Sequence, residues 1–231
     1  MKKIYQISII TPTLNAEKYI RNCISSIKTQ RNINIQHIIV DAGSNDETLN
    51  IIQNFDDIEL YKLQGSSIYE ALNYGASFVK SSFIGFLNAD DEYTQDNTLS
   101  LIHKKFLKCN YDKQIVYGNC KFINKEKELL YRLFPNEKIN YFFAKIRIFN
   151  VSHPSWFISK KAFNLLNGYD TNLKYISDCD MIIRSLKNPL IKLNYINLDV
   201  ANFLIHNKNL SRSKAAEMEM RNYNKFIFSN F

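Results

Sequence analysis

Cysteine is scarce and scattered. Cys23, Cys109, Cys120 and Cys179 are the only four in 231 residues, and no two stand in a CxxC spacing. This pattern offers neither a zinc site nor a disulfide framework, and it reads as buried or idle thiols in a reducing compartment. Long apolar runs are missing too, since none approaches the ~18 residues of a membrane-spanning helix. Met1-Lys2-Lys3 has the lysines of a signal peptide, but the apolar run behind it breaks at Thr11-Pro12-Thr13 and reads as a first strand. Glycine numbers six, with none in Thr11-Pro12-Thr13-Leu14-Asn15. A sugar nucleotidyltransferase would carry a glycine-rich phosphate loop there, and a dinucleotide oxidoreductase a GxGxxG. No internal repeat and no low-complexity linker is found, and 231 residues suffice for one sizeable core.

The net charge is +8. Basic and aromatic residues interleave in His103-Lys104-Lys105-Phe106 and in Tyr141-Phe142-Phe143-Ala144-Lys145, with Arg147 just beyond. Such a surface favours polyanions, anionic headgroups or phosphate-bearing substrates, or it is simply solvated. A non-enzymatic nucleic-acid-binding module has this charge in its favour but no motif, so no nucleic-acid partner is expected.

What is present centres on residues 82–92. Phe83 to Leu87 is a short apolar run, suited to a strand buried on both faces. It ends in Asn88-Ala89-Asp90-Asp91-Glu92. Adjacent carboxylates at the end of a buried strand are costly unless they face a cation or a polar cleft. Mg²⁺ is commonly held by one or two carboxylates plus substrate phosphates. A polar turn leading to a helix cap is the plainer alternative.

Around this stretch, strand and helix alternate. Strands are expected over 6–11, 35–40, 58–63 and 83–87. Helices fall between them, one with Ile20, Cys23, Ile24 and Ile27 on a single face and another behind a Ser67…Glu70 capping box. Asn15 is the expected cap of the first helix. This is the pattern of βαβ units around a parallel sheet, whose ligands bind beyond the strand carboxyl ends. Thr11, Asp41 and Asp90-Asp91 all sit at such ends. The second half is less regular. Strands are expected over 115–122, 129–133 and 155–158, helices over 98–107 and 161–166, a helix opening at Asp178-Cys179-Asp180, mixed strand over 190–204 and a terminal helix over 213–228.

Six segments in order resemble the family 2 glycosyltransferases of the GT-A fold. They are Ser8 to Asn15, His37 to Thr48, Ile68-Tyr69-Glu70-Ala71-Leu72-Asn73-Tyr74-Gly75, Phe86 to Asp91, His153-Pro154-Ser155-Trp156-Phe157, and Ser177-Asp178-Cys179-Asp180. The resemblance implies a single GT-A domain over 1–231: α/β, with a Rossmann-like, mostly parallel central sheet flanked by helices. Residues 1–91 would form the nucleotide-binding half, and 92–231 a less regular acceptor-side half with the C-terminal helix. It implies inverting transfer of a sugar from a nucleoside-diphosphate sugar to a carbohydrate or lipid-linked acceptor, in surface polysaccharide or glycolipid assembly. Asp41 would bond the base, with Pro12 and Thr13 lining the nucleotide pocket. Asn88 would lie near the ribose. Asp90 would ligate Mn²⁺ or Mg²⁺, with Asp91 and His206 as further candidate ligands. Asp178 would be the general base, and His153 would sit near the sugar-binding mouth. The plainer alternatives are that Asp178 is a helix N-cap and His206 a polar surface residue.

Asn88 stands where the family often has its first Asp, Leu14 where it often has Tyr, and Gly65-Ser66-Ser67 where an Asp-Lys-Gly-like stretch with its one basic residue is commoner. Arg212 and Lys214 are expected to touch phosphates or face water. Tyr223 to Phe228 mixes aromatics with base, which suits a membrane surface or a partner, or a helix docked on the core. The implied location is cytoplasmic, at the inner face of the cell membrane where the acceptor is lipid-linked.

Overall fold

The computed structural model describes residues 4–139, 151–207, 209 and 213–229, with the side chains of 224–229 excepted. Tyr141 to Arg147 and Arg212, singled out above, lie outside the described residues.

The first half follows the alternation of the sequence. Strands β1 (Ile7–Thr13), β2 (Ile35–Asp41), β3 (Ile58–Lys62) and β4 (Phe83–Phe86) are separated by helices α1 (Ile20–Lys28), α2 (Thr48–Gln53) and α3 (Ile68–Ser77). All four strands run parallel, in the order β3-β2-β1-β4. Every residue of β1 is buried, as a strand covered on both faces requires. Ile20, Cys23, Ile24 and Ile27 form the buried face of α1.

The capping box of α3 is complete. The Ser67 N–H donates to the Glu70 carboxylate at 2.7 Å, and the Glu70 N–H donates to Ser67 Oγ at 3.4 Å. Gly75 then lets α3 lie close on the sheet: a Cβ there would stand 2.6 Å from Ile10 Cγ2 and 3.1 Å from Val40 Cγ2. Asn15 is not a helix cap. It lies at φ 50°, and its side chain accepts the Asn45 N–H at 2.9 Å, tying the loop after β1 to the loop after β2.

Pro12 does not stop β1, which runs on to Thr13. The Ile10 carbonyl bonds toward β4 and the Thr13 carbonyl toward β2. By alternation, Pro12 faces the β4 side beyond the last β1–β4 pair, Ile10↔Phe86, where no ladder bond is due and its missing N–H costs nothing.

The second half adds β5 (Glu92–Tyr93), α4 (Thr98–Cys109), β6 (Gln114–Ile123), β7 (Leu129–Leu133), β8 (Trp156–Ser159), α5 (Lys160–Leu165), α6 (Ser177–Lys187), β9 (Lys192–Leu204) and α7 (Lys214–Ser229). It continues the same sheet as β4-β8-β6-β9-β5, with β7 also on β6. Here orientations mix: β8 is antiparallel to both β4 and β6, while β9 is parallel to β6.

Helix α7 docks on α6 and the loop before it. Its Glu219 carboxylate accepts the Lys174 and Tyr175 N–H groups at 2.8 and 2.7 Å, and the Tyr223 hydroxyl donates to Asp180 at 2.6 Å. Of the stretch Tyr223 to Phe228, only the Tyr223 side chain is among the described residues, and it docks on α6. Among the described residues no helix is long and apolar enough to cross a membrane.

His37 on β2 is buried, with Nε2 3.1 Å from Thr11 Oγ1. Burial lowers its pKa to about 3, so it is neutral in the fold. A histidine that protonates only when unfolded destabilises the fold as pH falls through its unfolded pKa near 6.5. From pH 6.5 to 5 this histidine accounts for roughly 2 kcal/mol of lost stability. Urea unfolding at the two pH values tests this. The His37→Gln protein is expected to show the shallower pH dependence, and an equal slope would contradict the assignment.

Candidate active site

The parallel strands deliver their carboxyl ends to one edge, and there a cleft of about 910 Å³ opens. Pro12 and Thr13 from the end of β1 line it. So do Asn88 and Asp90 after β4, His153 before β8, Asp178 in the first turn of α6 and His206 after β9. Residues far apart in the chain thus share one wall.

Asp90 and His206 form the acidic end. His206 Nε2 lies 2.8 Å from Asp90 Oδ2, and Asn209 Nδ2 donates to the same oxygen at 3.3 Å. Tyr19 stacks on the His206 ring at 5.0 Å between centroids. The Ile205 N–H to Ile123 carbonyl bond, 2.8 Å, carries the β9 ladder to the residue before His206. His206 is therefore no stray surface residue; its side chain is 7% exposed.

Asp178 lines the same cleft. It is not a helix cap: the N-cap position of α6 is Ile176, and no side chain caps the helix. Instead, the Tyr69 hydroxyl on α3 donates to Asp178 Oδ1 at 2.9 Å. Tyr69 is 5% exposed, and burial together with the Asp178 charge pushes its pKa far up, so it stays a donor. Tyr169 packs on the Tyr69 ring at 5.2 Å, and its hydroxyl is 3.0 Å from His153 Nε2. His153 stacks on Phe86 of β4 at 5.6 Å. Burial lowers the His153 pKa, although the Asp178 charge opposes the shift, so the imidazole is neutral at pH 7.

Three polar atoms of cleft-lining residues, Thr13 Oγ1, Ser66 Oγ and Asn88 Oδ1, are buried without a hydrogen-bond partner among the described residues. Buried polar atoms are nearly always paired, so their concentration at one cleft points to a polar ligand.

Two expected site residues are not brought to the cleft. Asp41 is fully buried and serves its own turn. Its Oδ1 accepts the Gly43 and Ser44 N–H groups, both at 2.9 Å, and its Oδ2 accepts the Ser44 hydroxyl. The Asp41 carboxylate thus shapes the loop that meets Asn15 and leaves Ala42 on the cleft wall. Asp91 points inward, 1% exposed, accepting from the Leu204 N–H and from Asn88 Nδ2, each at 3.3 Å. Burial first, and the Asp90 charge next, push its pKa well above the carboxylate range. A carboxyl turned from the cleft and already accepting two hydrogen bonds is a poor cation ligand, and the turn closed by the Asp91 N–H on the Asn88 carbonyl at 3.1 Å sends the two neighbouring carboxylates to different surroundings.

The donor set suits a divalent cation only in part. Among the described residues no group of three or more His, Cys, Asp or Glu is placed to hold one. Asp90 and His206 offer one carboxylate and one imidazole at a shared cleft wall. That fits Mg²⁺ or Mn²⁺ only if substrate phosphate oxygens complete the shell, a usual arrangement for hard cations.

Sequence reading missed Tyr69, Tyr169, Asn209 and Tyr19. Tyr69 was legible in principle, as a large polar-tipped residue in the first helical turn at the sheet's carboxyl edge. Tyr69→Phe is expected to cut turnover by roughly ten-fold, the scale of one hydrogen bond to a charged group, with nucleotide affinity unchanged. Steady-state rates beside calorimetric binding check this; unchanged turnover would leave Tyr69 a packing residue only.

An α/β sheet with a cleft at its carboxyl edge, lined by two carboxylates and by unpartnered buried polar atoms, marks a site for a polar substrate. The family described as "Glycosyl transferase family 2" matches residues 8–166, and the chain belongs to it. It is a glycosyltransferase. A PGL/p-HBAD biosynthesis glycosyltransferase of Mycobacterium bovis is 26% identical over 204 residues, covering 85% of this chain and 75% of the relative. The hyaluronan synthase of Pasteurella multocida is 25% identical over 236 residues, and the chain spans 23% of its length. Residues 1–349 of S. aureus TarS, crystallised in complex with UDP-GlcNAc, superpose with a TM-score of 0.74 at 16% identity, over 90% of this chain and 61% of that one. The fold is GT-A.

Proposed function

We propose that the cleft binds a nucleoside-diphosphate sugar, with uridine diphosphate as the leaving group, and that the sugar is transferred with inversion to a carbohydrate or lipid-linked acceptor. The observation that carries this reading is the placement of Asp90–His206 and Asp178 on one cleft with three unpartnered buried polar atoms. Asp90 and His206 would hold Mn²⁺ or Mg²⁺ against the diphosphate. A divalent cation there supplies Lewis-acid neutralisation of the charge that develops on the leaving phosphate. Thr13, Ser66 and Asn88 would donate to or accept from the nucleotide. Neutral His153, held by Tyr169, would bond a sugar hydroxyl. Asp178, oriented by Tyr69, would take the proton of the attacking acceptor hydroxyl.

Direct displacement needs one base and no carboxylate nucleophile, and among the described residues lining the large cleft the carboxylates are Asp90, assigned here to the cation, and Asp178. The UDP and UDP-GlcNAc complexes of TarS support a uridine nucleotide, since both are of proteins with this fold. The relatives include a PGL/p-HBAD biosynthesis glycosyltransferase, a hyaluronan synthase and a chondroitin synthase, names that support a role in assembling a glycan or glycoconjugate. A lipid-linked acceptor would place the enzyme at the inner face of the cell membrane. The test is product stereochemistry. Proton NMR of the glycoside formed from an α-linked UDP-sugar is expected to show a β anomer, and an α anomer would overturn direct displacement.

A further inference from the structure

The first turn of α6 carries Asp178, and little inside α6 secures that turn. Residues 171–176 before it form neither helix nor strand, and no side chain caps the helix. The leading N–H groups of a helix have no partner within it, so an uncapped first turn opens readily unless something outside holds it. Two side chains of α7 do so, four residues apart and hence on one helical face. The Glu219 carboxylate accepts the N–H groups of Lys174 and Tyr175 at 2.8 and 2.7 Å, just before Asp178. The Tyr223 hydroxyl donates to Asp180 Oδ1 at 2.6 Å, just after it.

We propose that α7 positions the base: Glu219 and Tyr223 fix the backbone on either side of Asp178, so that its carboxylate meets Tyr69 at the cleft wall. Both are positioning residues for sugar transfer, and neither lines the cleft. This assignment rests on the reading of Asp178 as the base. A displacement of about 1 Å in a catalytic group costs as much as ~10²-fold in rate, which gives such a brace its effect.

The anchors reach rigid parts of the fold. Asp180 is 7% exposed, and its second oxygen accepts the Arg184 Nε–H at 2.6 Å. Arg184 also donates to the Leu166 and Gly168 carbonyls at 2.5 and 3.0 Å, joining α6 to the turn after α5. Burial and the Asp180 charge raise the Tyr223 pKa, so the hydroxyl keeps the proton it donates. From the other side, α3 holds Asp178 through Tyr69, and its Asn73 grips the Tyr169 backbone by two bonds of 2.9 Å. The base thus stands between α3 and α7. A cavity of about 470 Å³, lined by residues 175–179 and 216–221, lies between α6 and α7. The two helices do not pack flush there, so α7 holds the turn by its polar anchors rather than by continuous packing.

Two double-mutant cycles test this, with Tyr223→Phe and Glu219→Gln each combined with Asp178→Asn. The rate read is release of uridine diphosphate from UDP-glucose, UDP-galactose and UDP-GlcNAc, in single turnover with water as acceptor. Each α7 variant alone is expected to lower that rate about ten-fold, with calorimetric uridine diphosphate affinity equal to wild type. In the Asp178→Asn background the same substitutions are expected to change the residual rate less than about two-fold, because residues that act as one unit are not additive. A helix that merely supports the fold lowers the rate by the same factor in both backgrounds. That result, unchanged rates in both single variants, or loss of nucleotide binding in them would overturn the proposal. An Asp178→Asn protein as fast as wild type would overturn the base reading, and the brace with it. A wild type that releases uridine diphosphate from none of the three would instead overturn the donor reading.

Discussion

Replacing Asp178 with Asn lowers sugar transfer by roughly 10²–10⁴-fold, the usual contribution of a positioned general base, and leaves uridine diphosphate binding unchanged. The substitution keeps the size of the side chain and the oxygen that accepts the Tyr69 hydroxyl at 2.9 Å. It therefore removes proton-accepting ability while preserving the local geometry. The nucleotide end is insulated because Asp90 and His206 bond each other and Asn209, not Asp178. Comparing kcat with calorimetric affinity separates the outcomes. Turnover near wild type would remove Asp178 from the base role. Loss of nucleotide binding along with turnover would mean that Asp178 supports the donor pocket rather than the acceptor.

Asp90→Asn is expected to abolish the gain in uridine diphosphate affinity that Mn²⁺ brings, a weakening of roughly thirty-fold or more by analogy with truncating one partner of a desolvated charge pair. Asn is nearly isosteric and still accepts from Asn209, so the loop after β4 should hold its shape. What changes is the charge opposite His206. Asp91, buried and bonded to the Leu204 N–H, and Glu92, paired with Lys127, are both committed elsewhere. Binding measured without metal should be similar in variant and wild type. An Asp90→Asn protein with full Mn²⁺-dependent affinity would place the cation elsewhere or remove it from the account.

The parallel half of the fold was legible because its signals were local and agreed with one another. The run Phe83 to Leu87, the one-sided face of α1 and the Ser67–Glu70 box each specify an element within a few residues. Their alternation then dictates a parallel sheet with its strand ends on one edge. Asp90, His206 and Asp178 were legible as candidates from the family motifs and from residue type, and all three line the cleft. Which way each side chain points was not legible. Asp90 and Asp91 are neighbours of identical type, yet one faces the cleft and the other the core. Asp41 occupies a strand end where a ligand contact is expected, but the Gly43-Ser44 turn beside it consumes its lone pairs. Tyr69 stood between the two members of the Ser67…Glu70 capping box and carried no role of its own, yet its hydroxyl meets a residue 109 positions later in the chain. Contacts of that separation depend on tertiary closure and leave no periodicity.

The departures from the family pattern also find their places. Leu14, where Tyr is common, is 55% exposed on the cleft wall. Ser66 and Ser67, standing where an Asp-Lys-Gly-like stretch is commoner, line the same cleft, and Ser66 Oγ is one of its unpartnered atoms. The donor contacts proposed for this chain are thus more neutral and hydroxyl-rich than the family pattern implies.

The central claim is that this cleft binds a nucleoside diphosphate through a divalent cation. Its most direct test is calorimetric titration of the wild-type chain with uridine diphosphate, in Mn²⁺ and again in excess chelator. The account expects saturable binding with one site per chain, strengthened by Mn²⁺ and weakened by its removal. Binding that is indifferent to Mn²⁺, or absent for both uridine and thymidine diphosphate, would contradict it.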